Sequence, residues 1–465
     1  MPVGTLLSYG AGLAFAVALG AGLPYLIWTT YHRYAVGLVL VLATFFLEIV
    51  WVEFPGFWVG IYLYPTDFVF AFLAMPAFLR LLFARDFPGR SVPWLVFGVL
   101  LAASFGVGYA QFGKAAGTEL RQFFYVWVSV LYFMSFPLDA ARARTTLRAW
   151  FAFAALLFLL ALARWAAESA GLPIADTWRG TGAAAEFRVL PSGGTLFLLD
   201  ALVLIVFLMT ARTARRWMWV AVPALLATVL VMQHRSVWLS AAGAFVALYL
   251  AFPGAVRLKL VRPLAGAAIF VVVVGGGLVG YGQLDALVSS VTRSAVQATD
   301  SRGTAGGRVY GWHQLLLQLE PAEYVTGKPF GSGYERYDFP NVRWKATYDP
   351  HNFYLQTLLR SGVPGVALLL ATYLLTLTRL LRDRGGVTTP DLPPRLLVVM
   401  LVSQLVFMVP YRLPYEQAIW LGLAISVAAS LRRAAAAAGA TRGRQGERRA
   451  GMPSALGGDG SAPAR

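Results

Sequence analysis

From about residue 5 almost to residue 431 the chain alternates long apolar runs with short polar turns rich in arginine. At least ten of these runs approach or exceed the roughly 20 apolar residues that an α-helix needs to cross a hydrocarbon core. Strands of a membrane barrel would be about ten residues long with dyad alternation, which is not the pattern here. The predicted fold is all-α: a polytopic membrane helical bundle of about 12–13 transmembrane helices with one large segment outside the membrane. The spans fall at about 66–84, 92–112, 119–138, 146–168, 192–211, 217–233, 236–252, 263–282, 351–378, 396–410 and 414–431, with two more at about 5–29 and 34–52. If the first segment is interfacial or re-entrant, the count is twelve. The chain thus divides into an N-terminal bundle of about ten spans over 1–282, the polar segment 283–350, the C-terminal helices 351–431 and a basic tail, 432–465.

The polar segment has its own order. From Gly307, GRVYGWHQLLLQLEPAEY sets Val309, Trp312, Leu316 and Leu319 at helical spacing, which predicts an amphipathic helix stopped at Pro321 that lies on the membrane or caps the bundle. The next stretch, TGKPFGSGYERYDF, predicts a tight aromatic loop in which Gly331 and Gly333 turn the backbone. Its spacing matches neither a P-loop nor a dinucleotide fingerprint. The tail is Ala-, Gly-, Pro- and Arg-rich and is expected to be disordered, its arginines resting on anionic lipid headgroups.

Composition agrees with a membrane protein: 58% hydrophobic and 13% charged residues, and a mean hydropathy of +0.64. The absence of cysteine excludes disulfides, thiol catalysis and thiolate metal sites. The opening MPVGTLLSYGAGLAFAVALGAG lacks a basic flank and reads as a membrane segment, not a cleaved signal.

A net charge of +17 would point to nucleic acid in a soluble protein, but here most of the arginines obey the positive-inside rule. Clusters at Arg80, Arg85 and Arg90, at Arg142, Arg144 and Arg148, at Arg212, Arg215 and Arg216, at Arg257, Lys259 and Arg262, at Arg379, Arg382 and Arg384, and in the tail fall in alternate loops. Those loops are expected to be cytoplasmic, and no nucleic-acid partner is expected. Other arginines fall on the opposite side: Arg179, Arg188, Arg235, Arg412, and Arg293, Arg302, Arg308, Arg336 and Arg343 in the polar segment. Topology gives no reason for cations there. Each is either a solvated or carbonyl-capping residue or a ligand for an anion, and guanidinium binds phosphate bidentately. Arg188 and Arg235, at helix ends near the membrane surface, are the first candidates for a lipid-linked phosphate or pyrophosphate, with Arg308 and Arg412 second.

At the end of the polar segment, ATYDPHNFYLQTLLRSGVPG carries His351, whose imidazole can take a proton near neutral pH and is the candidate general base. His313 is a rival, although its helix has a sufficient packing explanation. Tyr334, Tyr337, Trp344 and Tyr348 are candidates to stack on sugar faces or, equally, interfacial belt residues; Asn352 is a further possible sugar-binding group. Glu335, Asp338 and Asp349 form no paired motif for a divalent metal or for glycoside hydrolysis, so no metal and no cofactor are expected. A polysaccharide or lipid transporter is the alternative of another class, with Glu48, Asp200 and Arg164 as buried charges, but the chain shows no internal repeat.

Several pieces in this order resemble the O-antigen ligase and polymerase family of integral-membrane glycosyltransferases: EFRVLPSGG, QHRSVWLS, GRVYGWHQLL, GKPFGSGYERY and PHNFYLQTLLRSGVPG. The resemblance covers about residues 175–380, and its most specific part is a glycine turn followed by HN-x-YL-x-x-L-x-x-x-G. The chain departs from it in His234, where a small polar residue is more usual, and in its arginine-rich tail. The resemblance implies a metal-independent enzyme in the bacterial inner membrane. At the periplasmic face it would transfer a glycan, with inversion, from an undecaprenyl-pyrophosphate carrier to an acceptor hydroxyl: on lipid A core for a ligase, on a growing glycan for a repeat-unit polymerase, or on Ser or Thr for a protein glycosylator. His351 would be the base and Arg188 and Arg235 the pyrophosphate clamp, helped by Arg308 and Arg412.

Overall fold

A computed structural model describes residues 22–51, 56–58, 62–85, 91–172, 188–211, 215–252, 304–338, 343–347, 350–382 and 392–450, with scattered positions between 254 and 292. Helices α1 (Gly22–His32) and α2 (Tyr34–Val50) meet in a bend of 110°. A small hairpin, β1 (Phe57–Trp58) with β2 (Tyr62–Leu63), leads into α3 (Pro65–Phe83), α4 (Val92–Phe112), α5 (Lys114–Met134) and α6 (Ala140–Ser169). Then come α7 (Ser192–Ala211), α8 (Arg216–Val231) and α9 (Arg235–Ala251). The polar segment supplies α10 (Thr304–Leu317), the short α11 (Glu323–Thr326) and an antiparallel hairpin, β3 (Tyr334–Asp338) with β4 (Arg343–Thr347). The chain closes with α12 (Phe353–Arg382), α13 (Pro394–Phe407) and α14 (Ala418–Ala450).

The all-α membrane architecture is borne out. Among the described residues α3, α4, α6, α7 and α12 are long and apolar enough to cross a membrane, α1 with α2 makes a sixth if counted as one span, and α8, α9 and α13 are shorter apolar helices. The further spans expected at 5–29 and 263–282 lie largely outside the described residues. Helix starts follow local chemistry. Pro65 opens α3, where it needs no N–H donor, and the Asp67 carboxylate accepts the Tyr64 backbone N–H at 2.7 Å. Asp139 accepts the Arg142 N–H at 2.8 Å at the start of α6.

Helix α7 is the axis of the bundle: 89% of its apolar window is buried, against 22–44% for the other long helices. Against it Trp150 of α6 stacks flat on Phe197, with ring centroids 4.0 Å apart, and meets Trp420 of α14 at 4.5 Å. The buried charges noted in the sequence all have partners. Glu48 accepts from Thr66 and from the Tyr415 hydroxyl, Asp200 accepts from Trp420 Nε1 at 3.2 Å, and Arg164 donates to the Ile49 and Val189 carbonyls at 2.7 Å. A buried ion without partners would cost several kcal/mol. These contacts give all three a packing role.

Three local expectations change. The aromatic loop after Gly333 is the β3–β4 hairpin, in which Tyr337 pairs with Trp344. Helix α10 ends at Leu317, before Pro321, and Val309 is 58% exposed while Leu315 is buried, because the Leu355 and Leu359 surface of α12 supports only the second half of the helix. Residues 432–450, expected to be disordered, continue α14, as an alanine-rich run can; residues 451–465 lie outside the described residues.

Candidate functional site

The helices alternate in direction, so α7, α9 and α12 begin at the end of the bundle where α6, α8 and α13 finish. There the approach to α7 and the approach to α9 are clipped together. Arg188 Nη2 donates to the Gln233 carbonyl at 3.0 Å, and the His234 ring Nε2 lies 2.9 Å from the Leu190 carbonyl, so it carries the proton there. Gln233 is fully buried with φ +52°, a left-handed turn that aims its carbonyl at Arg188. Arg164 holds the Val189 carbonyl from the other side. The clip sets Arg188 beside Arg235, the first residue of α9.

Arg308 arrives from α10. It donates to the Pro410 carbonyl at 3.0 Å and to the Tyr411 hydroxyl at 3.3 Å, with its guanidinium carbon 4.7 Å from the Tyr411 ring centroid. Arg235 lies within electrostatic reach of both Arg188 and Arg308. Three guanidiniums therefore share one end of the bundle. The Arg188 Nε is buried without a hydrogen-bond partner among the described residues. Burial lowers the Arg188 pKa, an effect opposed by Tyr411 and reinforced by Arg308. Burial also pushes His234 down to about 4, against its bond to Leu190 and with help from Arg188, so its ring is neutral near pH 7.

His351 lies beside Tyr411, with the two ring centroids 6.0 Å apart. Its φ of +53° belongs to the left-handed region, which histidine enters more readily than most residues. Neighbours on both sides hold that turn. Trp312 Nε1 donates to the Pro350 carbonyl at 2.8 Å, the Phe353 N–H reaches the Met408 and Tyr411 carbonyls at 2.9 and 3.2 Å, and Asn352 caps α12 by accepting the Leu355 N–H at 2.9 Å.

Of the residues singled out in the sequence, the fold thus gathers Arg188, Arg235, Arg308 and His351. Arg412 is exposed and lies within reach of the carboxylates Glu48 and Glu416. His313 is exposed on α10, and Asn352 is engaged as a helix cap. Tyr334 is buried, with the Arg360 guanidinium 4.1 Å from its ring centroid, so its faces are taken. The side chains of Tyr337, Trp344, Arg336, Arg343 and Asp338, and residues Tyr348, Asp349, Arg179, Arg293 and Arg302, lie outside the described residues.

The fold also uses residues the sequence did not single out. Tyr411 joins the arginines to His351. Fully buried Arg360 pairs with Glu119 of α5 and donates to the Pro329 carbonyl at 2.9 Å and to Ser332 Oγ at 2.6 Å, while the Gly331 N–H donates to the same Glu119 at 2.8 Å. This latch fixes the glycine turn 327–333 on the bundle. A charge inside the apolar run FYLQTLLRSGVPG was a signal for Arg360; an ordinary tyrosine in an outer turn gave none for Tyr411.

These features define an integral-membrane helical protein with a cationic site at one end of its bundle. Residues 224–370 match the family model described as O-antigen ligase, which bears out the resemblance. Members of that family are glycosyltransferase-like enzymes. The matched stretch holds His234, Arg235, Arg308, His351 and Arg360, whereas Arg188 and Tyr411 lie outside it and join the site through the fold. No curated protein matches the chain.

Proposed function

We propose that the protein transfers a glycan from an undecaprenyl-pyrophosphate carrier to an acceptor hydroxyl at the periplasmic face of the inner membrane, as an O-antigen ligase acting on lipid A core. The observation that carries this is the buried, unpartnered Nε of Arg188 amid Arg235 and Arg308. Like charges gathered in a partly dry site repel unless an anion joins them, and a diphosphate offers oxygens to all three. In the reaction the acceptor oxygen attacks the anomeric carbon on the face opposite the diphosphate, the bond from that carbon to the diphosphate oxygen breaks, and the configuration inverts. His351 takes the acceptor proton. The guanidiniums bear the charge that grows on the departing diphosphate. Arg412 stands outside this set and serves the neighbouring carboxylates.

The expected cations are guanidiniums, so the transfer is proposed to be metal-independent. Purified protein should transfer glycan in excess EDTA. Arg188→Ala or Arg235→Ala should lower transfer about a hundredfold or more, with little rescue by lysine, which lacks the planar fork. His351→Asn, which tolerates the left-handed turn but is a poor base, should abolish transfer without impairing membrane insertion, and His313→Ala should be mild. Near-normal transfer by both arginine variants, or a requirement for added metal, would sink the proposal. Deleting the gene distinguishes the acceptor: loss of a ligase strands polymerised glycan on the carrier, whereas single repeat units there would install a polymerase with the same site.

A further inference from the structure

The Tyr411 hydroxyl belongs to the arginine cluster. It accepts the Arg308 Nη2–H at 3.3 Å, and its oxygen is within electrostatic reach of Arg188. A phenol that accepts one hydrogen bond still has its own O–H to donate. Guanidiniums have no acceptor atom to offer it, and among the described residues this hydroxyl donates to no acceptor. The ring cannot swing away to find one: Phe407 stacks on it at 5.4 Å and 15°, Arg308 covers it, and the Tyr411 carbonyl accepts the Phe353 N–H. A fixed O–H donor is thus set among cations that share a need for an anion.

We propose that Tyr411 is a ligand of the diphosphate, donating its hydroxyl proton to a phosphoryl oxygen held between Arg188 and Arg308. This rests on the transferase reading above and adds a fourth, uncharged donor to the arginine clamp. A hydroxyl reads the anion by position and not by charge, so it selects where along the diphosphate the clamp closes. Through its ring, 6.0 Å from that of His351, it also sets the distance between the leaving group and the base.

Tyr411→Phe tests the assignment: phenylalanine loses the hydroxyl and with it the hydrogen bond from Arg308 Nη2, but keeps the stack on Phe407, the ring beneath the Arg308 guanidinium, the Arg308 bond to the Pro410 carbonyl and both backbone hydrogen bonds. Full-length protein in lipid nanodiscs is titrated with undecaprenyl pyrophosphate and, separately, with inorganic pyrophosphate. The variant should bind undecaprenyl pyrophosphate about tenfold more weakly, as expected for one lost hydrogen bond to a charged group, with an unchanged unfolding temperature. The 31P resonances of the bound diphosphate should shift. Tyr354→Phe, whose hydroxyl donates to the Leu405 carbonyl, should keep wild-type affinity. A loss with both probes supports recognition of the diphosphate itself, and a loss confined to the lipid probe supports the same contact on the carrier. Unchanged affinity of Tyr411→Phe overturns the role of Tyr411 and leaves the clamp standing, whereas wild-type protein that binds neither probe overturns both.

Discussion

His234 shows how a single side chain can prepare a charged site. It spends its ring nitrogen on the Leu190 carbonyl, and its neutral form leaves Arg188 without a further cation at its side. Its pKa in the fold, about 4, lies below the value near 6.5 it has when unfolded. Between those values the unfolded chain binds the proton more strongly, so this contribution to stability is complete above about pH 6.5 and is lost as pH falls toward 4. The full shift corresponds to about 3 kcal/mol. Thermal unfolding of wild type and His234→Gln between pH 7.5 and 4.5 measures it: the wild type should lose stability relative to the variant on acidification, and parallel curves would refute the neutral-ring assignment. At this scale the sequence was legible where a charge stood against its surroundings. Arg188 and Arg235 stood out because membrane topology could not account for them. Tyr411 did not, because nothing in a one-dimensional string separates a tyrosine that accepts from an arginine from one resting in a headgroup layer.

Among the elements, α12 does the most positioning. It is two helical stretches joined at Gly362, whose φ is +63° and where a Cβ would lie 2.0 Å from the Val325 carbonyl oxygen. The break lets the short α11 turn sit on the helix backbone, while Arg360, two residues before, latches the following glycine turn to Glu119. Removing one partner of a buried ion pair leaves the other charged and stranded. Arg360→Leu should therefore destabilise the protein by about 3–5 kcal/mol, and the double variant Arg360→Leu with Glu119→Leu by clearly less. Unfolding temperatures in detergent decide this, and equal losses in the two variants would refute the latch. The five long apolar helices were legible because their runs have the length a bilayer demands. The β3–β4 hairpin was not, since YERYD lacks the apolar-polar alternation that marks a strand buried on one face, and RWKAT, which has it, is a single run of five residues. Nor was the length of α14: low hydrophobicity argued for disorder, whereas the alanine run has strong helix propensity.

For the molecule as a whole, the arginine clusters orient every loop at once. Reporter fusions near residues 185, 330 and 412 should read periplasmic and those near 145, 214 and 383 cytoplasmic; a cytoplasmic signal at 330 would put the site on the wrong face for a lipid-linked donor. The alternation of the bundle has a deeper effect. Because α7, α9 and α12 all start beside the arginine cluster, each turns the positive end of its backbone dipole toward it, equivalent to roughly half an elementary charge per helix. That part of the field belongs to the peptide backbone, and no side-chain substitution can delete it. A His351→Asn protein would lose its proton acceptor yet keep both the arginines and this backbone field. It would hold its lipid-linked substrate without consuming it, a dead-end complex in which the donor can be seen in place.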